Sequence, residues 1–460
     1  MPYIISLKVL QEEVPPPPFS VVKGVVESEL CASLDSLFAT FDPTPVGSAS
    51  IGAVHIATLK SDGRRVAVKV QYPEAQKFFA LDFATILFFF EIINPMLVEV
   101  VKAQQKMFSN EFDYRKESDN LRKMCTEVKG KFRNLNFPEP YDALHPNLPP
   151  SVRARGGSLV TAKVLVMDVC EGKTITKLGK QLVAQLAASQ NMTVEDLTAQ
   201  VRRKMLDPNF VETVVGKRIP SEAEFAVFLS LLRAKDLVRN LSAFAFNWSL
   251  GLLLSLPPLE YVRSALPPNG PRLLRFLYDV HGFCLFELGV FNPDPHAGNV
   301  MLDEATGVVS LLDYGQLVAV DEMEARLYFA RFIVAIDDRD VEGVVKYWVL
   351  LGNEFVWNET GEVNPPNETF ACACFHFGGA AGMREGLKIL GFKSISEVMG
   401  KTLLDKINIT KTDAKYGMLQ RSGFCLSGVG QQVGVGGIST AKMLRPAAER
   451  FLLSRGYSIR

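Results

Sequence analysis

The hydrophobic pattern changes along the chain from strand-like alternation to helix-like periodicity. Residues 54–73, VHIATLKSDGRRVAVKVQYP, hold two alternating runs around Ser61–Gly63, where the glycine can take a positive φ. A Val- and Leu-rich stretch at 158–172 and a turn-separated pair of runs at 300–315 predict further strands, whereas the pattern is mostly helical from Ile175. We therefore predict an α+β chain with two unequal lobes.

Two apolar stretches are too short to span a membrane. Residues 83–90, FATILFFF, end at Glu91, and residues 241–257, LSAFAFNWSLGLLLSLP, are interrupted by Asn247 and end at a proline. Both fall below the roughly 18–20 uninterrupted apolar residues that a spanning helix needs. We interpret both as buried core helices. The alternative is a helix that lies on a membrane or docks against a membrane partner.

Composition and charge exclude several classes of protein. The chain has 460 residues, of which 48% are hydrophobic, and this predicts a globular protein with a large core. Its 50 basic and 50 acidic residues balance, so we expect no nucleic acid as a partner. The seven cysteines form no C-x-x-C pair, which argues against a zinc site or a disulfide framework and favours a reducing compartment. The N-terminus shows no signal-peptide or transit-peptide pattern.

The segment VAVKV places a lysine, Lys69, on the second arm of the predicted hairpin. Alternate residues of a strand share a face, so Lys69 should point away from Val66, Val68 and Val70. A solvated lysine is the ordinary interpretation of such a pattern. Protein kinases, however, carry a V-A-I-K strand whose lysine contacts the α- and β-phosphates of ATP.

A turn of small residues runs directly into the strand that should pair with the Lys69 strand. It contains Gly47, Ser48, Ala49 and Ser50, whose small side chains would let backbone N–H groups approach an anion. Small residues also form ordinary turns. Together with Lys69 at this hairpin distance, the turn predicts a loop that covers phosphates.

An acidic helix is predicted at residues 110–123, NEFDYRKESDNLRK. Its carboxylates include Glu111, Asp113 and Glu117. A solvated charged helix would have the same composition. In the functional interpretation, one of the glutamates pairs with Lys69 and orients it toward phosphate.

Residues 291–300, FNPDPHAGNV, contain Asp294 and Asn299 in a D-x-x-x-x-N pattern, and Asp313 follows in an Asp-Tyr-Gly segment. Carboxylate and amide oxygens are hard ligands that suit Mg²⁺. We predict that Asn299 and Asp313 bind the metal and that Asp294 positions the attacking hydroxyl. The order of lysine, acidic helix, D-x-x-x-x-N and Asp-Tyr-Gly predicts a kinase-like site for ATP and Mg²⁺.

These segments, together with LVMDVCEG at 165–172 and the C-terminal LSGVGQQVGVGGISTAKMLRPAAERFL, resemble the UbiB-type atypical kinases, the ADCK or aarF group. The resemblance covers nearly the whole chain. It implies a two-lobed, protein-kinase-like α+β fold. The implied divisions are an N-terminal helical extension at 1–44, an N-lobe at 45–174, and a helical C-lobe at 175–460 with an insert near 185–275.

The resemblance also implies roles for individual residues. Lys69 corresponds to the phosphate-binding lysine, Asp294 to the catalytic aspartate, and Asn299 and Asp313 to the metal ligands. Glu111 and Asp113 correspond to the family's E-x-D motif. Glu117 is the implied partner of Lys69, with Glu111 as the competing choice. The implied nucleotide-binding residues are Gly47, Ser48, Ala49, Ser50, Val54, Lys69, Glu117, Met167 and Val169.

The chain departs from the family pattern at several places. The K-x-G-Q motif would lie upstream of the proline-rich segment, so we expect that the chain is truncated or lacks this element. Gly47 and Ser48 stand where alanines are usual, and Ala53 stands where glutamine is usual. Asn292 and Pro293 replace the usual His-Ala before the aspartate. Because the implied metal ligands are intact, we expect an active enzyme.

The resemblance implies an atypical kinase or ATPase that binds Mg-ATP between two lobes and supports isoprenoid quinone or related lipid metabolism. Its implied location is a mitochondrial or plastid membrane. The implied partners are a nucleotide, an isoprenoid lipid or membrane surface, and lipid-biosynthesis proteins. The alternative is a catalytically weak nucleotide-binding scaffold that positions lipid or partner enzymes, a role that residues 185–275 would serve. The phosphoryl acceptor and the oligomeric state stay open.

Overall fold

The computed structural model describes residues 17–48, 51–93, 98–205, 220–262, 266–392, 397 and 403–459. The chain divides into two compact units. The first contains residues 1–173, 291–295 and 299–319, and the second contains residues 174–290, 296–298 and 320–460. Short segments around the D-x-x-x-x-N turn and the Asp-Tyr-Gly segment thus belong to the same compact unit as Lys69.

The helices and strands follow the predicted change of pattern, and the α+β class is confirmed. The helices are α1 (Phe19–Leu30), α2 (Leu34–Leu37), α3 (Ala75–Ile93), α4 (Val98–Ser109), α5 (Tyr114–Glu127), α6 (Pro150–Arg153), α7 (Ile175–Ser189), α8 (Val194–Met205), α9 (Glu222–Asn247), α10 (Leu250–Leu253), α11 (Gly270–Phe283), α12 (Met323–Asp338), α13 (Val341–Leu350), α14 (Pro366–Phe377), α15 (Gly379–Ile389), α16 (Leu403–Lys406), α17 (Ala414–Gln432) and α18 (Thr440–Ser454). The strands are β1 (Phe38–Phe41), β2 (Gly47–Ser48), β3 (Gly52–Leu59), β4 (Arg65–Gln71), β5 (Leu135–Asn136), β6 (Val164–Asp168), β7 (Lys173–Thr174), β8 (Val290–Phe291), β9 (Val300–Leu302), β10 (Val309–Leu311), β11 (Val318–Ala319), β12 (Glu354–Trp357) and β13 (Ile407–Lys411).

An antiparallel sheet forms the centre of the first unit, in the order β1-β3-β4-β6 with β2 paired to β3. The predicted hairpin is present as β3 and β4, and Gly63 in its turn has a φ of +71°. In the register of this sheet, Lys69 lies opposite Val54 on one side and Leu165 on the other. The sheet therefore holds Lys69 at the centre of a paired strand.

The alternation predicted for β4 is present. Val66 and Val68 are 0% exposed and Val70 is 1% exposed, and they pack in one hydrophobic cluster with Val22 and Val26 of α1. The valine face therefore holds helix α1 on the sheet, and it supplies the hydrophobic burial that fixes the strand register. The side chain of Lys69 is on the opposite face.

The second unit is mainly helical and has an aromatic core. Phe329 and Phe332 of α12 contact Phe377 of α14, and Phe332 also contacts Tyr416 of α17. Trp348 of α13 packs edge-to-face against Tyr416, with the ring centroids 5.2 Å apart. These edge-to-face arrangements fix the helices of this unit relative to each other.

The interpretation of the two apolar stretches as buried core helices is wrong. Residues 83–90 lie in α3, where Phe83 packs against Phe79 and Phe108 but Phe88 and Phe89 are 60% and 54% exposed. Residues 241–257 end α9 and form α10, where Leu252 and Leu253 are 70% and 79% exposed. Across the described residues, no helix has both the length and the apolar content that a membrane crossing requires.

Candidate active site

Lys69 of β4 and Glu117 of α5 form a buried ion pair. The Nζ atom of Lys69 donates to both carboxylate oxygens of Glu117, at 2.7 and 2.8 Å. Glu117 is 3% exposed, and it lies on the face of α5 that packs inward with Leu121 and Met124. These hydrogen bonds of Lys69 are thus accepted by Glu117, the implied partner, and not by the competing Glu111.

Asp313 completes the surroundings of the Lys69 ammonium. Its Oδ2 atom lies 3.4 Å from the Nζ atom of Lys69. Burial by itself would lower the pKa of Lys69, but Asp313 and Glu117 together raise it well above its ordinary value. Lys69 is therefore positively charged at physiological pH.

Tyr114, at the start of α5, is a neighbour of Lys69 that the sequence analysis missed. The Nζ atom of Lys69 lies 5.1 Å from the centre of its ring, which is 1% exposed. Gly52 of β3 makes room for this tyrosine, because a Cβ atom there would lie 2.6 Å from the tyrosine hydroxyl and 2.5 Å from the carbonyl oxygen of Val70. A glycine inside a strand was the available signal for such a close approach.

Glu111 and Asp113, the two acids of the E-x-D motif, have different surroundings. The carboxylate of Glu111 accepts a hydrogen bond from the side chain of Gln316. Burial, followed by the charge of Asp313, raises the pKa of Glu111 to about 8. This shift favours the protonated form of Glu111 near neutral pH.

Asp113 caps helix α5. Its side chain accepts from the backbone N–H of Arg115 at 3.1 Å and from the Nε atom of Arg115 at 2.8 Å. These hydrogen bonds lower the pKa of Asp113. The position of Asp113 is typical of a helix N-cap, so it contributes to the start of the helix that carries Glu117.

A short hairpin brings Asn299 and Asp313 to the same end of two paired strands. Val300 of β9 lies opposite Leu311 of β10. One residue further, the backbone N–H of Leu312 donates to the carbonyl oxygen of Asn299 at 2.9 Å. The two predicted metal ligands therefore lie next to this pair of residues, on adjacent chain segments.

Asn292 connects the segment of Asp294 with that of Asp313. Its Nδ2 atom donates to the carbonyl oxygen of Asp313 at 2.9 Å, and its Oδ1 atom accepts from the backbone N–H of Asp294 at 2.8 Å. From the sequence, this asparagine is only a departure from the family pattern. The structure shows it as a bridge that is 7% exposed.

Asn120 connects helix α5 with the Asp-Tyr-Gly segment. Its Nδ2 atom donates to the carbonyl oxygen of Tyr314 at 2.8 Å. The ring of Tyr314 is 3% exposed and packs edge-to-face against Phe137. Asn120 was also missed, although it lies one helical turn after Glu117, on a helix that the sequence did mark as functional.

The other predicted nucleotide-binding residues lie on the sheet. In its register, Gly47 lies opposite Val54, which in turn lies opposite Lys69, so the three form one row across β2, β3 and β4. Met167 of β6 lies opposite Ala67, and Val169 follows that strand directly. Ser48 bonds the hydroxyl of Tyr72 at 2.7 Å. Ala49 and Ser50 lie outside the described residues.

The charges of the cluster fit a hard divalent cation. Four carboxylates, those of Glu111, Glu117, Asp294 and Asp313, interact electrostatically within it, and Lys69 compensates for one charge. Burial is the largest cause of the raised pKa of Glu111, and this negative excess adds to it. Carboxylate and amide oxygens, including that of Asn299, are the ligands that Mg²⁺ prefers. The donor set therefore suits a magnesium ion.

A second group of metal-ligand types, Glu139, His145 and Asp168, lies elsewhere in the first unit, with its potential ligand atoms within 4.8 Å of one another. The Nδ1 atom of His145 accepts a hydrogen bond from the backbone N–H of Asn147 at 3.2 Å. In a neutral imidazole the Nε2 atom must then carry the hydrogen, so it cannot bind a metal. Arg122 further neutralises Glu139. We interpret this group as a structural ion network.

Comparison with known proteins gives kinase-like relatives. The sequence pattern of the ABC1 atypical kinase-like domain matches residues 9–214 and 271–348, more than half of the chain. AarF domain-containing protein kinase 1 of Xenopus laevis is 30% identical over 175 residues, which are 37% of this chain and 30% of that protein. A probable protein kinase UbiB of Shewanella sp. (strain W3-18-1) is 47% identical over 74 residues, 16% of this chain and 14% of that protein.

A solved structure supports the fold. The complex of Rv3197 with erythromycin from Mycobacterium tuberculosis matches with a TM-score of 0.50 at 17% identity, over 98% of this chain and 86% of that one. Together with the match to the ABC1 atypical kinase-like domain, this likeness confirms the predicted kinase-like fold. The matches to the two curated relatives span less than a third of the length of each relative.

Proposed function

The chain belongs to the ABC1 atypical kinase-like family, and on this premise we propose that it binds Mg-ATP at the Lys69–Asp313 cluster and transfers or hydrolyses the γ-phosphate. The observation that carries the proposal is the position of Lys69. Its ammonium is held by both oxygens of Glu117 and also lies 3.4 Å from Asp313. A phosphate-binding lysine next to a metal-binding aspartate is the arrangement that phosphoryl transfer requires.

Each residue has a distinct task in this proposal. Lys69 binds the α- and β-phosphates, and Glu117 keeps the lysine extended toward them. Asn299 and Asp313 would hold Mg²⁺, which when bound neutralises charge on the phosphate oxygens. Asp294 orients the hydroxyl or water that attacks the γ-phosphate, and it accepts the proton of that nucleophile.

We further propose that this activity supports isoprenoid quinone or related lipid metabolism at a mitochondrial or plastid membrane. Support for this step comes from the family relationship. The expected partners are an isoprenoid lipid and enzymes of lipid biosynthesis.

An Asp294→Asn variant tests the catalytic role. We expect ATP turnover to fall by about 100-fold or more, because the amide cannot accept the proton, while the thermal shift caused by Mg-ATP is kept. The matched control is Asp303→Asn, in the turn of the β9–β10 hairpin, where an amide oxygen can still accept from the N–H of Ala305. Unchanged turnover in Asp294→Asn would contradict the catalytic role. A wild-type protein that shows no Mg-ATP shift would contradict the whole proposal.

A second candidate function, a scaffold at a lipid surface, has its own supporting observation. The apolar surface of α9, α10 and the turn between them includes Leu231, Val238, Trp248, Leu252 and Leu253, each at least 62% exposed. Such a large exposed apolar surface is typical of an interaction site. The basic residues Arg233, Lys235 and Arg239 lie exposed on the same helix, next to these apolar side chains. Exposed apolar side chains with basic and aromatic residues nearby in sequence favour an anionic bilayer as the partner.

Two asparagines of α9 hold the following segment along the helix. Asn247 forms two hydrogen bonds with the backbone of Leu259, at 2.9 and 2.7 Å. Asn240 does the same with the backbone of Val262, at 2.9 and 2.7 Å. The apolar side chains of 248–259 are therefore presented on a defined surface, so they can insert together at little cost in conformational entropy.

Sedimentation with vesicles tests this candidate. We expect the wild-type chain to pellet with vesicles of phosphatidylcholine and phosphatidylglycerol, and less with phosphatidylcholine alone. A Leu252→Ser, Leu253→Ser variant should lose this binding. A matched control is Leu144→Ser, because Leu144 is 75% exposed but belongs to the first unit. Equal pelleting of the wild type and the double variant would exclude this surface.

A further inference from the structure

The side chain of Asn292 forms two hydrogen bonds, one as an acceptor and one as a donor. Its oxygen accepts from the N–H of Asp294 at 2.8 Å, and its nitrogen donates to the carbonyl oxygen of Asp313 at 2.9 Å. The first bond fixes the orientation of the amide, because a backbone N–H can only be paired with the oxygen. The second bond then needs the NH₂ group, so both atoms of the planar amide are used.

The two partners of this amide carry the side chains that act in the proposed function. Asp294 would position the nucleophile, and Asp313 binds the metal and lies 3.4 Å from Lys69. The carboxamide of Asn292 is rigid, so it sets the spacing between the two backbone segments. The side chain is 7% exposed, and the neighbouring Phe291 and Pro293 are also buried. Water therefore has little access to replace a lost bond.

We propose that Asn292 is a positioning residue for phosphoryl transfer, acting through Asp294 and Asp313 without touching the nucleotide. This inference rests on the proposed function. It predicts which side chains can replace it, because the position needs an acceptor toward Asp294 and a donor toward Asp313.

Two substitutions distinguish a positioning role of Asn292 from a role in packing alone. Asn292→Asp keeps the size and the acceptor, but it turns an oxygen toward the carbonyl oxygen of Asp313, and this repulsion should move Asp313. Asn292→His offers a neutral imidazole with one acceptor and one donor. The chain already uses histidine this way, since the Nδ1 atoms of His145 and His296 accept from the N–H two residues later, at 3.2 and 3.1 Å.

The experiment is steady-state ATP turnover at pH 8, where an imidazole with an ordinary pKa of about 6.5 is neutral. We expect Asn292→Asp to lower kcat by about 100-fold, because small misplacements of reacting groups have effects of this size. The KM for ATP should rise by much less than kcat falls, since Lys69 and Glu117, which hold the phosphates in the proposal, are untouched and only Asp313 moves. Asn292→His should recover most of kcat.

A matched control is Asn364→Asp in the second unit. Asn364 is 8% exposed, and its oxygen accepts from the N–H of Phe355 at 3.0 Å, so its variant reports the general effect of a buried charge on stability. If Asn292→Asp does not fold, Asn292→Ser serves as the loss variant. The inference is overturned if kcat stays unchanged, or if the Asp and His variants lose kcat equally. Absence of turnover in the wild type would instead overturn the proposed function, and the inference with it.

Discussion

The Nζ atom of Lys69 lies 2.7 Å from Oε1 of Glu117, although the two residues are 48 positions apart in the chain. The pair joins the central strand of the sheet to helix α5. Its burial means that the charge of each residue depends on the other. An ionised pair that is this well buried stabilises the fold weakly, if at all, but it specifies the geometry of the site.

Replacing Glu117 by glutamine should therefore affect both stability and activity. The ammonium of Lys69 would keep Asp313 as its partner and turn toward it. We expect a loss in the free energy of unfolding of about 2 kcal/mol, less than the roughly 3–5 kcal/mol of a fully unpaired buried charge. Turnover should fall by roughly 10–100-fold. Urea denaturation and ATP turnover measure the two effects.

Glu127→Gln is the control, because Glu127 is exposed at the end of the same helix. Wild-type turnover in Glu117→Gln would show that the ion pair is not needed for the reaction.

The pKa of Glu111 predicts a pH dependence of stability. Its pKa in the folded protein is about 8, against an ordinary value of 4.5. Between these values the folded protein holds a proton that the unfolded chain has released. The free energy of unfolding should therefore fall as the pH rises through this window. Glu111→Gln should reduce this slope, as measured by urea denaturation in EDTA without nucleotide. A part should remain, because burial also raises the pKa of Glu117, to about 7.

The slope of Glu127→Gln should match that of the wild type. A Glu111→Gln variant with the wild-type slope would mean that Glu111 is already ionised in the free protein.

Gly52 should be intolerant of alanine. The new Cβ atom would meet the carbonyl oxygen of Val70 at 2.5 Å and the hydroxyl of Tyr114 at 2.6 Å. We expect a loss in the free energy of unfolding of about 1–3 kcal/mol, typical of overpacking. Adding Tyr114→Phe should recover part of it, since the hydroxyl is removed while the Val70 contact stays.

Gly24→Ala in α1 is the control for that substitution. A Cβ atom there meets nothing within 4 Å, so stability should be kept or slightly raised. Equal stability of Gly52→Ala and the wild type would contradict the close approach.

Asn120→Asp should uncouple helix α5 from the Asp-Tyr-Gly segment. The variant keeps the size of the side chain but loses the donor to the carbonyl oxygen of Tyr314. We expect stability to fall by about 1–2 kcal/mol, and turnover to fall more than that loss of folded protein explains. The neighbouring, exposed Asp119 supplies the control Asp119→Asn. If turnover falls only in proportion to the folded fraction, Asn120 stabilises the fold and has no further role in the reaction.

Local patterns predicted those parts of the fold in which neighbouring residues decide the outcome. The β3–β4 hairpin follows from alternation around a glycine turn, and the burial of Val66, Val68 and Val70 follows from the period of a strand. The same reasoning failed for 83–90 and 241–257. Apolar composition indicates a helix that can be buried, but whether another element covers it depends on the rest of the chain.

The sequence by itself determined the α+β class, the hairpin that carries Lys69, and the kinds of side chain that a magnesium–phosphate site needs. These features depend on spacing along the chain, which sterics and periodicity translate directly into structure. Only the tertiary structure decided that Glu117 pairs with Lys69, that burial and neighbouring charges raise the pKa of Glu111, and that Asn292 bridges two segments. Those outcomes depend on contacts between residues distant in the chain and on the exclusion of water, which no local pattern encodes.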